Sequence, residues 1–379
     1  MQHPSEPEAT NRLLFRQAQL TSLLTQDRLE ALVLNPGPTL TYLTGLNFHL
    51  SERPVVLMFV PNKQPVLVLP ELEAGKIDRL PFPVQTFTYN EDPSSWSGVF
   101  RQAVGAANIE GSKVGVESGR LRFLELSLLQ AAGEGTRYEA ADATLARLRM
   151  QKDPYEIQRM RTAVQIAQKA LQATLNTIKP GMSEREIAAE LTTQIYRNGS
   201  DAELPFNPIV SAGPNSANPH AFPTNRLLIP GDSLVVDWGA SFTGYFSDLT
   251  RTFAIGAPDP ELTHIVEVVY QANTAARELA APGVTAYQVD RAAREVIENS
   301  GFGEYFIHRT GHGLGMETHE PPYIHSGNPL VLEPGMTFTI EPGIYLPGKN
   351  GARIEDDIVI TEQGAESLSD LPRQLIQIG

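Results

Sequence analysis

Asp237 and Asp248 stand eleven residues apart, in Val235-Val236-Asp237-Trp238-Gly239 and Tyr245-Phe246-Ser247-Asp248-Leu249-Thr250-Arg251-Thr252. Farther along, Glu341 follows the apolar stretch 336–340, and Glu355 sits in Arg353-Ile354-Glu355-Asp356-Asp357 ahead of Ile358-Val359-Ile360. Between these positions runs His308-Arg309-Thr310-Gly311-His312-Gly313-Leu314-Gly315-Met316-Glu317-Thr318-His319-Glu320, and four of the chain's eight histidines fall between 308 and 325. A single carboxylate at a strand end is ordinarily solvated or capping, and a lone histidine ordinarily structural. Four carboxylates ending apolar strands beside a glycine-flanked histidine are harder to explain that way. Buried together without cations they would be like charges with no partner, and their pKa values would rise sharply. Two divalent cations balance the four charges. Oxygen-rich ligation with one imidazole suits Mn²⁺, Co²⁺ or Zn²⁺, and the residue types do not choose among them.

The rest of the composition narrows the chemistry. The 379 residues contain no cysteine, which removes thiolate nucleophiles, disulfides and thiolate metal sites. A net charge of −14 argues against a nucleic-acid partner, because phosphate binding needs clustered Lys and Arg. No apolar run approaches the roughly 18 residues of a membrane span. Residues 1–10 are polar and acidic, without the basic end and apolar stretch of a secretory signal. They read as a disordered lead-in, and the expected location is the cytoplasm.

The elements that must position these groups follow from periodicity and punctuation. The length predicts two domains. Residues 1–148 read as α/β: an amphipathic run at 11–24, then apolar strands at 31–34, 55–60, 66–69, 84–89 and 113–116. No ligand-like cluster lies there. Residues 149–379 open with Asp153-Pro154-Tyr155-Glu156, a capping box with proline at the first helical position, and helical spacing follows as far as Ile178. A weak repeat then emerges. Pro180-Gly181-Met182-Ser183 recurs as Pro282-Gly283-Val284-Thr285, and Pro230-Gly231 and Pro334-Gly335 each precede a carboxylate, Asp237 or Glu341, seven residues after the proline. A duplicated helix–helix–strand unit predicts a pseudo-twofold site fed by both halves. A turn through 239–244 would make the Asp237 and Asp248 strands a hairpin, and period-two alternation lets both carboxylates face one site.

With these residues in place the chain resembles the Xaa-Pro peptidases, prolidase and aminopeptidase P, of the pita-bread metallopeptidases. The likeness is detailed over residues 145–362 and looser before them, and it implies an α/β creatinase-type domain followed by an α+β pita-bread catalytic domain. It also implies two divalent ions per chain, with Asp248 and Glu355 bridging, Asp237 completing one ion, and His312 with Glu341 completing the other. Glu341 would in addition shuttle a proton. His220, His308 and His319 match the histidines lining the family's substrate site, where an imidazole meets the scissile carbonyl or the oxyanion. Arg353 matches the arginine beside the last ligand, orienting carboxylates and the Tyr345 hydroxyl.

The resemblance implies a small proline-containing peptide as substrate, cleaved before proline, and a homodimer. One departure bears on substrate length. Many prolidases carry an arginine four residues after the His319 equivalent, where it holds the dipeptide carboxylate, and this chain has Tyr323. Arg53, from the N-terminal domain of a partner subunit, would supply the cation instead, so Xaa-Pro dipeptides are the expected substrates, with longer peptides and aminopeptidase P activity the alternative. A methionine aminopeptidase would lack the first domain and carry His-Thr after the last ligand, where Asp356-Asp357 stands. A metal-free binding relative or creatinase-like hydrolase would have lost ligands, and all are present.

Overall fold

The computed structural model describes residues 6–379, which divide between two compact units, Met1–Arg149 and Met150–Gly379. The first helix, Glu6–Gln26, starts inside the stretch expected to be a disordered lead-in. Glu8 lies in its first turn, where a negative charge suits the amino end of a helix. Residues 1–5 of that expectation lie outside the described residues.

In the first unit the apolar runs form a six-stranded mixed sheet in the order Gln85–Tyr89, Val66–Pro70, Val56–Phe59, Ala31–Leu34, Lys113–Val116, Arg137–Ala140. Its last strand gives no apolar signal because it is an edge, with Arg137, Glu139 and Ala140 exposed. Phe100, Ala103 and Val104 of the helix Trp96–Ala107 pack on Val33, Val56 and Met58 of the sheet.

The second unit opens with the helix Pro154–Leu175. Asp153 caps it, and the reciprocal bond from Glu156 completes the capping box. The helix ends three residues before Ile178, and Ile178 joins the core from the turn that follows. Two later helices repeat the device: Ser183 caps Glu184–Arg197 and Thr285 caps Ala286–Asn299, each with a capping box. The duplication extends to the backbone. Gly181 donates to Leu228 O and Leu228 donates back to Met182 O; Gly283 donates to Leu332 O and Leu332 donates back to Val284 O, all at 2.8–2.9 Å. Gly231 to Ile255 and Gly335 to Ile360 form another matched pair, at 2.7 and 2.8 Å. At Gly181 and Gly283 φ is +88° and +87°, the left-handed region open to glycine, so the matching Pro-Gly turns share one backbone conformation.

Each half contributes a sheet. One runs Ile376–Ile378, Leu249–Ile255, Ser233–Trp238, Ile209–Ala212, and the other Glu320–Ile324, Gly311–Gly313, Thr337–Ile340, Asp356–Thr361, Gly364–Ser367. The Asp237 and Asp248 strands form the expected hairpin, antiparallel with Thr250 opposite Asp237. Its turn carries a small two-stranded ear, Ser241–Phe242 paired with Tyr245–Phe246. Trp238, fully buried, anchors the hairpin by donating its indole N–H to Ala167 O at 2.9 Å. An isolated bridge between Thr250 and Glu355 joins the two sheets.

Candidate active site

A cavity of about 730 Å³ opens where the sheets meet, and Asp237, Asp248, His312, Glu341 and Glu355 all line it. His220, His308, His319 and Arg353 line it as well. Each carboxylate is fixed by its place on a strand. Asp237 lies in Ser233–Trp238, Asp248 precedes Leu249–Ile255, Glu341 follows Thr337–Ile340, and Glu355 precedes Asp356–Thr361. His312 occupies the short strand Gly311–Gly313 between two neighbours. Only glycine fits at 311, because a Cβ there would stand 1.8 Å from Thr339 O.

Threonines and a further aspartate hold these groups. Thr250 Oγ1 donates to Glu355 Oε2 at 2.6 Å, and Thr339 Oγ1 donates to Glu341 Oε1 at 3.0 Å while accepting from His312 N at 3.1 Å. Asp357 Oδ2 accepts from Asp248 N at 3.1 Å. The sequence reading missed Thr250 and Thr339 as site residues. The signal was there: polar side chains at alternate positions of otherwise apolar strands.

Arg353 is buried. Its Nη2 donates to Asp237 Oδ2 at 2.5 Å, its Nη1 to the Tyr345 hydroxyl at 2.9 Å and its Nε to Thr250 Oγ1 at 3.1 Å. His308 Nε2 lies 2.8 Å from the same Tyr345 hydroxyl. Burial pushes the Tyr345 phenol up to about 12, so it remains a neutral donor. His319 packs edge-on against His312, with ring centroids 4.1 Å apart.

The electrostatics call for cations. Burial first, then neighbouring carboxylates, holds Asp248 and Glu355 well above the usual carboxylate range. Burial also raises Asp237, against the opposing charge of Arg353. With a proton on both His312 nitrogens, the burial of Glu341 is outweighed by the hydrogen bond and charge of that ring, and its pKa falls. Asp237 Oδ1 is buried with no hydrogen-bond partner. His312 Nδ1 lies 3.2 Å from Gly313 O, and Nε2 faces Glu341 Oε1 at 3.2 Å and Asp248 Oδ2 at 3.7 Å. An Nδ1–H donated to Gly313 leaves the Nε2 lone pair aimed at two carboxylates, a mismatch that an intervening cation removes. Ligand atoms of Asp248, His312 and Glu355 fall within 4.8 Å of one another. These donors fit a divalent ion.

Three residues expected to bind substrate are not among those lining the cavity; Tyr345 is bonded to Arg353 and His308, which do line it, and the other two fall elsewhere. Tyr323 pairs across from His312 on the strand Glu320–Ile324 but is not among the residues lining the cavity; its ring lies under the Arg309 guanidinium at 4.6 Å. Arg53, in the first unit, spends its guanidinium on Glu91, at 2.8 and 3.2 Å, and on Glu52, at 2.8 Å. Its charge is matched there by neighbours that the sequence reading did not pair with it.

A two-sheet frame presenting this carboxylate–imidazole set defines a metallopeptidase, and the chain belongs to metallopeptidase family M24, whose pattern it matches over residues 158–362. Residues 16–151 match the creatinase/prolidase N-terminal domain. Among its relatives is the probable dipeptidase PepE of Mycobacterium tuberculosis, 39% identical over 370 residues and 96% of each chain. The Xaa-Pro dipeptidase of Lactobacillus helveticus is 34% identical over 91% of this chain and 94% of the relative. In structure the chain is similar to the prolidase from Thermococcus sibiricus, with TM-score 0.89, 34% identity and 96% and 98% of the two chains covered. Among the described residues no helix is long and apolar enough to cross a membrane.

Proposed function

We propose that the protein hydrolyses Xaa-Pro dipeptides at the bond before proline, using two divalent ions held by Asp237, Asp248, His312, Glu341 and Glu355, with manganese, cobalt and zinc the matching metals. The observation that carries this reading is the convergence of the buried carboxylates of Asp237, Asp248 and Glu355, the half-buried Glu341 and His312 on one cavity, with Asp237 Oδ1 unpartnered. Bound ions supply Lewis acidity toward the scissile carbonyl and lower the pKa of water at the site.

The chain's own groups supply the rest. Glu341, at the cavity beside His312, takes a proton from the attacking water and returns it to the proline nitrogen, a secondary amine that must leave protonated. His319 and His220, both at the cavity, donate toward the carbonyl oxygen as it gains charge. Tyr345, tied to Arg353 and His308, keeps that wall in place as a neutral hydrogen-bonding post. A homodimer in the cytoplasm is the assembly and location in keeping with this activity.

The test is hydrolysis of a Leu-Pro dipeptide against a Leu-Pro-Gly tripeptide, each with Mn²⁺, Co²⁺ or Zn²⁺ and after chelation. The reading expects metal-dependent cleavage with the dipeptide preferred. Cleavage in chelated protein would defeat the metal assignment, and preference for the tripeptide would move the activity to an aminopeptidase.

A further inference from the structure

Arg309 and Tyr323 form a stacked pair. The sequence comparison leaves a gap, since an arginine is expected at 323 to meet the substrate carboxylate and a tyrosine stands there. In space the gap is filled. Arg309, just ahead of the strand Gly311–Gly313, lays its guanidinium over the Tyr323 ring at 4.6 Å from the centroid, and Arg309 lines the cavity.

The cavity lining holds two arginines, and they differ in what is left to give. Arg353 is spent on Asp237, Tyr345, Thr250 and Pro219 O. Arg309, among the described residues, makes no ion pair and no side-chain hydrogen bond; its one contact of this kind is the tyrosine ring. A ring against the face of a guanidinium leaves the N–H edge open, and that edge is the fork that grips a carboxylate with two parallel bonds. The stack also fixes a long side chain in advance, which lowers the entropy cost of binding. The ring sits on an anchored strand: Glu320, three residues before Tyr323, forms a buried ion pair with Lys152 at 2.7 Å, and Tyr323 O accepts from Asn328 Nδ2 at 2.6 Å.

We infer that Arg309, braced on Tyr323, is the receptor for the C-terminal carboxylate of an Xaa-Pro dipeptide, so that the cation absent from position 323 is delivered from position 309. The inference rests on the dipeptidase reading above. It replaces Arg53, whose guanidinium is engaged by Glu52 and Glu91.

The experiment compares Leu-Pro with Leu-Pro-amide, which differ only in the carboxylate, on the metal-loaded full chain. The native enzyme should favour the acid in kcat/KM by about 10- to 100-fold, the usual worth of a hydrogen bond to a charged group. Arg309→Met should bring the ratio close to one, chiefly through KM for the acid and with metal content retained. Arg309→Lys, which keeps the charge and loses the fork, should fall between them. Arg309→Met combined with Tyr323→Arg should restore most of the preference, because the cation returns to the same place from the other strand. Three results would overturn the inference: a native ratio near one, a ratio unmoved in Arg309→Met and Arg309→Lys, or an Arg309 effect confined to Asp-Pro against Leu-Pro, which would assign the guanidinium to the first residue. Cleavage of neither substrate by the native enzyme would instead remove the peptidase reading, and the inference with it.

Discussion

Thr250 and Glu355, 105 residues apart, are joined three times: Thr250 Oγ1 donates to Glu355 Oε2 at 2.6 Å, Glu355 N donates to Thr250 O at 3.1 Å, and Thr250 N donates to Glu355 O at 3.5 Å. The two halves of the catalytic unit are thus sewn together at a carboxylate of the site. Thr250→Val keeps the shape and removes the hydroxyl, leaving one Glu355 oxygen without its donor. Metal affinity should fall by about 10- to 100-fold, the usual cost of losing a group that orients a ligand. Competition with a fluorescent chelator measures it, and an unchanged dissociation constant would count against the orienting role.

Metal removal should weaken the fold as well as the activity. Burial and mutual repulsion hold Asp248 and Glu355 far above their ordinary pKa values, so the ion-free protein carries an unresolved electrostatic load. Restoring ions at about a hundred times the dissociation constant should add roughly 2.7 kcal/mol to the unfolding free energy. Urea titrations with and without Mn²⁺ decide it; superimposable curves would mean that no ion binds the native state preferentially.

His319→Ala tests catalysis apart from ion binding, since the ring packs edge-on against His312 without being in the convergent donor set. Turnover should drop by roughly 10²- to 10³-fold, the cost of one transition-state donor, while metal content stays at the native level. Turnover within twofold of native would take His319 out of the reaction.

Gly311 offers a stability test with an internal control. A Cβ at 311 would lie 1.8 Å from Thr339 O and 2.7 Å from its carbonyl carbon, so Gly311→Ala must force the His312 strand away from its neighbour. The cost should reach the top of the usual overpacking range, about 3 kcal/mol. Gly98, inside the helix Trp96–Ala107, has nothing within 4 Å of its Cβ position, and Gly98→Ala should stabilise by up to about 1 kcal/mol. Differential scanning calorimetry of both variants reads the opposite signs.

Lys152 and Glu320 are buried and 2.7 Å apart, so Lys152→Met removes a buried ion pair from one side. A loss of about 3–5 kcal/mol is expected, with Lys152→Met/Glu320→Leu recovering much of it. Chemical denaturation of the single and double variants gives the comparison.

The framework was legible because its signals are local. A capping box at Asp153, proline–glycine turns at matched offsets and carboxylates ending apolar strands each declare themselves within a few residues. What escaped depends on neighbours distant in sequence. The strand Arg137–Ala140 is polar and exposed because it is an edge, and no periodicity marks it. Nothing local pairs Arg309 with Tyr323, and Arg53 found Glu91 from 38 residues away. The orienting threonines were visible as alternation; Thr339 holds Glu341 only two residues on, but that Thr250 holds Glu355 is decided across the interface of the two sheets.

The two halves share a hydrogen-bonding skeleton without sharing donor chemistry. Gly313 pairs with Phe338 as Ala212 pairs with Leu234, which makes buried Ser211 the first-half counterpart of His312. A frame that is nearly symmetric therefore presents oxygen alone on one side and an imidazole on the other. A divalent ion would meet unlike chemistry on the two sides: the imidazole side suits a more nitrogen-seeking metal, and the oxygen side a harder one.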